Sequence, residues 1–319
     1  MTPASKPPVS QRPQVVFFGS GPVAARSLEL LQEWCDIEAV ITKPQPPHHK
    51  DPFPVIQIAE QYGLTMLTAA NRRELDKLMD DSAFKSRAAV LIDYGIIVSQ
   101  AVIDHFPLGI INSHFSLLPE WRGADPITFS ILSGQKETGV SLMLLVQAMD
   151  EGPLLGQATY DVPHDITTPE LTQDLIGLSD HTLREILPLY LDGQIQPAPQ
   201  RQAARPGHDQ PSYSRKLTKA DGVLDFTKPA GELEREIRAF ADWPKSRTTL
   251  ANKDVIITAA HAVPSQPAGS RPGDLDVIKD PAVIMIATAN GSLCIDRLKP
   301  AGKPEMTCQA FLAGNKLQS

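Results

Sequence analysis

Residues 88–114 read AAVLIDYGIIVSQAVIDHFPLGIINSH. Residues 88–92 form an unbroken apolar run, as a strand covered on both faces requires. Residues 100–105 read as a short helix and 109–113 as a second apolar strand. Strand, helix, strand is the unit of a parallel sheet, because a crossover helix is needed to return the chain. The same alternation continues on both sides. Upstream come a strand over 15–18, a GSGP turn, a helix to about Trp34, and a strand over 37–41. A helix over 54–62, a strand over 64–67 and a helix over 74–79 follow. Downstream, Asp125 or Pro126 starts a helix that Gly134 stops, and 140–146 is a further strand. Thr168 as N-cap, with Pro169 in the first helical position, opens a long helix that stops near Gly193. The expected architecture is α/β, a Rossmann-like, mainly parallel sheet.

Beyond Gly193 the pattern changes. Residues 194–210, QIQPAPQRQAARPGHDQ, are rich in Pro, Gln and Ala and poor in large apolar side chains, which is linker composition. Short β-like runs then dominate, over 223–226, 248–250, 255–259, 283–287 and 292–295, with one helix over 230–240. Asn252-Lys253-Asp254 and Asn290-Gly291 supply turns between them. Many short strands at close spacing predict a small OB-like barrel. The division expected is a mobile tail over 1–13, a first domain over 14–193, a linker over 194–212 and a C-terminal domain over 213–319.

The chain has 319 residues, 42% hydrophobic and 21% charged, which excludes a disordered, collagen-like or coiled-coil protein. It has no run of about 18 apolar residues, so no membrane partner is expected. The first residues, MTPASKPPVSQRP, lack the apolar core of a signal peptide. Cys35, Cys294 and Cys308 are far apart and form no CxxC pair, so neither a disulfide framework nor a zinc site is expected, which fits a cytoplasmic protein. Net charge is −7, unevenly spread. Residues 213–319 hold 15 basic and 12 acidic residues, a balance of +3, against 15 and 25 in residues 1–212, a balance of −10. Either the two domains differ by chance, or the C-terminal one meets something anionic.

Gly19-Ser20-Gly21-Pro22-Val23-Ala24 follows a strand, opens a helix and matches the dinucleotide pattern GxGxxA. Pro22 removes an amide that a pyrophosphate would use. The acidic residue expected about 20 positions on is missing. A nicotinamide-dependent oxidoreductase rests on this match alone. A second constellation is Asn112, His114 and Asp150. Asn112 and His114 are two apart at the end of a strand and so share a face. An amide beside an imidazole can hydrogen-bond one developing oxyanion. Asp150 follows the next strand and could orient the imidazole and favour its charged form.

The run SLLPEWRGADPI over 116–127, preceded by INSH and followed by Glu137-Thr138-Gly139-Val140 and Asp150-Glu151-Gly152, resembles the methionyl-tRNA formyltransferase family, within the wider group of 10-formyltetrahydrofolate-dependent formyltransferases. KLTKADGVLDF, LEREIRAFADWP and LKPAGKPEMTCQAFLAG, after the linker, are similar to that family's second domain. The resemblance implies transfer of a formyl group from 10-formyltetrahydrofolate to the α-amine of initiator methionyl-tRNA, by a monomer and without a metal. It places Asn112, His114 and Asp150 on the catalytic trio. It places Ser116, Leu117, Leu118 and Pro119 on the folate-binding segment, with Tyr94, Gly95 and Met149 in loops beside the folate. It implies that tRNA is gripped by Lys43, Lys50 and Arg122 in the first domain, by Arg201 and Arg205 in the linker, and by Arg215, Lys216 and Lys219 beyond it.

Two departures from the family pattern weaken the RNA contact. The loop KPQPPHHKDPFP over 43–54 carries only two lysines, with His48-His49 between them, and Glu120 stands where the family has a basic residue. Formyltransferases acting on an amino sugar nucleotide or glycinamide ribonucleotide would share the Asn-His-Asp site and are the alternative reading.

Overall fold

A computed structural model describes residues 12–45, 53–203, 209–279 and 282–315. Most of the expected tail, and Lys50, Arg205, His48 and His49, lie outside the described residues. The chain packs as two compact units. The first takes the residues up to Gly123 together with Glu137–Asp161 and Thr172–Tyr213. The second takes Ala124–Lys136, Val162–Leu171 and Ser214 onward. Two short pieces from within 14–193 thus belong with the C-terminal half.

In the first unit the elements run β1 (Gln14–Phe18), α1 (Pro22–Leu31), β2 (Asp36–Thr42), α2 (Pro54–Gln61), β3 (Met66–Thr68), α3 (Arg72–Asp80), β4 (Ala89–Leu91), α4 (Gln100–Asp104), β5 (Ile110–His114) and the two-residue β6 (Arg122–Gly123). After α5 (Pro126–Ser133), which belongs to the second unit, come β7 (Glu137–Leu144), β8 (Leu154–Asp161), the long α6 (Thr168–Leu191), whose first residues belong to the second unit, and the single turn α7 (Gln200–Ala203). The sheet order is β3-β2-β1-β4-β5-β7-β8. The five strands from β3 to β5 are parallel, and β7 and β8 are antiparallel additions at one edge. Val15 to Phe18 on β1 and Ala89 to Leu91 on β4 are buried, as central parallel strands covered on both faces must be. Phe18, Ile41, Leu75, Tyr94 and Phe106 belong to one core cluster.

Local chemistry sets the ends of the elements. The Asn71 side chain accepts from the amide of Glu74 and caps α3. Gly134, left-handed at φ 72, ends α5 where the sequence predicts the stop. The long helix starts one residue earlier than expected. Thr167, not Thr168, is the flanking residue, and its amide and hydroxyl both donate to Glu170 (2.9 and 2.7 Å). Thr168 instead donates to the carbonyl of Ala239.

Strand β8 is absent from the sequence reading because LLGQATYD lacks a clear period. Its Gly156 lies against the end of the Ile186 side chain of α6, which a methyl there would displace. The stretch with linker composition is tied down in this unit: Ala198 and Leu154 exchange both backbone hydrogen bonds at 2.8 Å, and Gln200 is buried.

β9 (Tyr213–Ser214) marks the passage from the first unit to the second, where a 3-10 turn (Lys219–Gly222) leads to α8 (Ala230–Ala239). Six strands then form an antiparallel sheet: β10 (Ser246–Leu250), β11 (Lys253–Val263), β12 (Leu275–Lys279), β13 (Ala282–Ala287), β14 (Ser292–Pro300) and β15 (Met306–Thr307), with α9 (Cys308–Gly314) at the end. The ladder runs β10-β11-β14-β13-β12, and β15 pairs with β14. Leu233 and Ile237 of α8 pack on Val255, Ile257, Ile295 and Leu298 of the sheet and on Phe311 of α9. Residues 223–226 do not form the expected strand: Val223 makes one isolated bridge to Arg247, and Leu224 drops into the core. Strand β12, LDVIK, is not among the short β-like runs read from the sequence.

Candidate active site

The site grows from the last strand of the parallel run. Asn112 and His114 of β5 are 8% and 6% exposed, opposite Met143 and Ser141 of the antiparallel β7. The chain after β5 is held by a small polar net. Ser141 donates from its hydroxyl to the carbonyl of Ser116 (2.6 Å) and accepts from the amide of Leu118 (2.9 Å). Gln157 donates to the Leu118 carbonyl (2.9 Å) and to Ser141 (2.8 Å). Ser116 itself donates to the carbonyl of Glu120 (2.5 Å). The segment 116–119 expected to bind folate is therefore held by hydrogen bonds, with Ser116, Leu117 and Leu118 buried. Ser141 and Gln157 are supports that sequence reading missed, since nothing local marks them.

Asp150 reaches the imidazole across the loop that follows β7. Its Oδ2 lies 3.9 Å from Nδ1 of His114 and accepts from the amide of Gly123 at 2.7 Å. The other ring nitrogen, Nε2, is 2.9 Å from the carbonyl of Trp121. A carbonyl only accepts, so Nε2 carries a proton. Nδ1 faces the Asp150 carboxylate. Asp150 and Trp121 sit at φ 52 and 54, a left-handed conformation that costs a non-glycine residue of order 1 kcal/mol or more. The loop turns sharply past β7: a methyl at Gly152 would stand 1.7 Å from the carbonyl oxygen of Leu144. Met149, just before Asp150, is 69% exposed.

The other expected site residues divide. The Tyr94 ring is buried, edge-to-face with Phe18, and burial pushes its phenol above the usual range. Its hydroxyl is buried without a hydrogen-bond partner. What the 94–95 turn can offer a ligand is therefore backbone. Lys43 leans over that turn, since a methyl at Gly95 would lie 2.8 Å from its Nζ.

The Arg122 guanidinium is held by partners within the protein. It bonds Glu151 (3.1 Å) and Gln200 (2.7 and 3.2 Å). Arg215 is paired with both carboxylate oxygens of Asp221, which hold its charge in place. Arg201, Lys216 and Lys219 are exposed.

The Gly-rich turn is not a pyrophosphate cradle. The amide of Gly19 donates to Ile41, and those of Ser20 and Gly21 donate to the carbonyl of Asp93 (3.0 and 3.3 Å). A methyl at Gly21 would stand 1.9 Å from the Asp93 carboxylate, so an anion is also met by a negative charge. This removes the single support for a nicotinamide oxidoreductase.

In the antiparallel unit His261, Cys294 and Asp296 gather ligand atoms within 4.8 Å of one another, a grouping that the spacing of the cysteines did not reveal. His261 Nδ1 is 3.0 Å from Asp296, and burial pushes the Cys294 thiol up. No helix among the described residues is long and apolar enough to cross a membrane.

The first unit is thus a mainly parallel sheet with an Asn-x-His strand end faced by a carboxylate, and the second is built on an antiparallel sheet. The chain belongs to the formyl transferase family, with residues 14–187 matching formyl transferase and 216–316 matching its C-terminal domain. It is 35% identical over 314 residues to the methionyl-tRNA formyltransferase of Myxococcus xanthus, covering 96% of each chain. It is 35% identical to the enzyme of the same name from Roseiflexus sp., covering 95% of this chain and 93% of that one. Among solved structures it resembles an N-formyltransferase from Helicobacter canadensis in complex with folinic acid and dTDP-3-aminofucose. The TM-score is 0.64 and identity 16%, over 89% of this chain and 98% of that one, a likeness of fold.

Proposed function

We propose that the protein transfers the formyl group of 10-formyltetrahydrofolate to the α-amine of initiator methionyl-tRNA. The observation that carries this reading is full-length similarity to methionyl-tRNA formyltransferases across both domains. An amino-sugar substrate has only a distant likeness of fold behind it. The donor set suits the chemistry. A neutral amide and an imidazole share one face of β5, and a carboxylate faces the imidazole.

In the reaction the α-amine attacks the formyl carbon and the carbonyl electron pair moves to oxygen. Asn112 and protonated His114 hold that oxyanion, with His114 exchanging its contact with the Trp121 carbonyl for one with the substrate. The Asp150 carboxylate, facing the other ring nitrogen, orients the imidazole. Collapse reforms the carbonyl, breaks the bond to N10, and the proton lost by the amine ends on N10. The backbone of 94–95, the 116–119 segment and the loop at Met149 hold the folate. The exposed cations Arg201, Lys216 and Lys219, joined by Lys43 at the Gly95 turn, meet RNA phosphate.

A direct test is formyl transfer with radiolabelled methionyl initiator tRNA, run beside an amino sugar nucleotide and glycinamide ribonucleotide. Transfer to tRNA alone is expected. Transfer only to a small amine would sink the reading.

A further inference from the structure

Gln200 lies in the stretch whose composition reads as a linker, yet it is 5% exposed and uses its whole side chain. Its Nε2 donates to the carbonyls of Asp150 (2.7 Å) and Gly152 (2.9 Å). Its Oε1 accepts from Nε (3.2 Å) and Nη2 (2.7 Å) of Arg122. Arg122 in turn reaches Glu151, and the next residue, Gly123, donates its amide to Asp150 Oδ2. One buried amide thus ties both ends of the same contact. It pins the backbone that carries Asp150 and, through Arg122, the backbone that holds the Asp150 carboxylate. Without it the left-handed conformation at Asp150 loses a restraint, and two carbonyls and a guanidinium lose buried partners. The two hydrogen bonds between Ala198 and Leu154 hold the 198–200 segment against the sheet, so Gln200 acts from a fixed base.

We infer that Gln200 is a positioning residue for formyl transfer: it sets Asp150 against His114 and touches no substrate itself. The inference rests on the formyl-transfer reading above. It distinguishes a role in geometry from a role in RNA binding, which linker cations alone would suggest.

Two variants test it in the full chain. Gln200→Met keeps the volume and removes every hydrogen bond, whereas Gln200→Glu keeps an acceptor for Arg122 and loses both donors. Each should lower kcat by roughly 10- to 100-fold, the scale of a misplacement of about 1 Å, with KM for tRNA little changed. In an Asp150→Asn background Gln200→Met should cost far less than in the wild type, because the two act on one contact. Amide exchange without substrate should quicken at Gly123 and stay slow at Val90 and Ile111. Full kcat, a loss that simply adds to that of Asp150→Asn, or unchanged exchange at Gly123 overturns the inference. A wild type that transfers no formyl group defeats the functional reading instead, and the exchange measurement still decides the role of Gln200. If neither variant folds, the folded wild type decides: slow exchange at Gly123 supports the clamp, and an unprotected amide there refutes it.

Discussion

His114 has both ring nitrogens engaged, one by the Trp121 carbonyl at 2.9 Å and one facing Asp150 at 3.9 Å. Asn112, two positions earlier on the same face, is the neutral donor beside it. The two should therefore fail in the same way when truncated. His114→Ala and Asn112→Ala are expected to lower kcat by roughly 10²–10³, about 3–4 kcal/mol, the usual loss for one oxyanion donor. Asp150→Asn keeps the shape and removes the charge, so it should lower kcat while folate affinity holds. Single-turnover rates and a separate folate titration check the split. A variant that loses folate binding and keeps its rate would reassign the residue.

At the scale of elements, two short segments carry testable strain or charge. The loop between β7 and β8 passes so close to the Leu144 carbonyl that Gly152→Ala forces one of them to move. Overpacking of this kind costs about 1–3 kcal/mol, and urea unfolding should show it together with a loss of activity. The 3-10 turn at Lys219–Gly222 is closed by Asp221. Arg215 first, and then the amide of Thr218, hold the Asp221 carboxyl well below the usual carboxylate range. The folded chain therefore binds that proton less readily than the unfolded chain. This contribution to stability is present above the ordinary carboxylate value of about 4 and fades as pH falls through the lower folded value. Asp221→Asn should flatten the acid limb of a Tm-against-pH curve. Superimposable limbs would show that the pair does not couple to folding.

Across the whole molecule, the excess of positive charge lies beyond residue 213, but not every cation there is available. Arg215 is neutralised by Asp221, whereas Lys216 and Lys219 are exposed. Replacing Lys216 and Lys219 by Ala should weaken tRNA binding by about 1 kcal/mol or less each and reduce the slope of log K against log salt by about one per contact. Arg215→Ala should change that slope less than either. The reverse ranking, read from a filter-binding salt series, would mean that Arg215 exchanges Asp221 for phosphate.

Elements whose signal is local were readable in the chain itself. The apolar runs at β1, β4 and β5, the stop at Gly134 and the Asn-x-His spacing all depend on neighbours within a few residues, where side-chain period and backbone preference act. Family likeness, carried by the ordered motifs from Asn112 to Gly152 and by the second domain, was legible for the same reason. What only the tertiary structure decided involves partners distant in sequence. The GSGP turn has the form of a dinucleotide site, but Asp93, more than 70 residues on, takes its amides. The sequence places Arg122 beside the folate-binding segment, and only the tertiary structure sets its guanidinium against Gln200 and Glu151. Gln200 itself sits in a stretch with linker composition, and the carbonyls of Asp150 and Gly152 bury it. Composition records how much polar surface a segment carries. Which buried donors and acceptors that surface satisfies is set by the packing that brings them within hydrogen-bond distance.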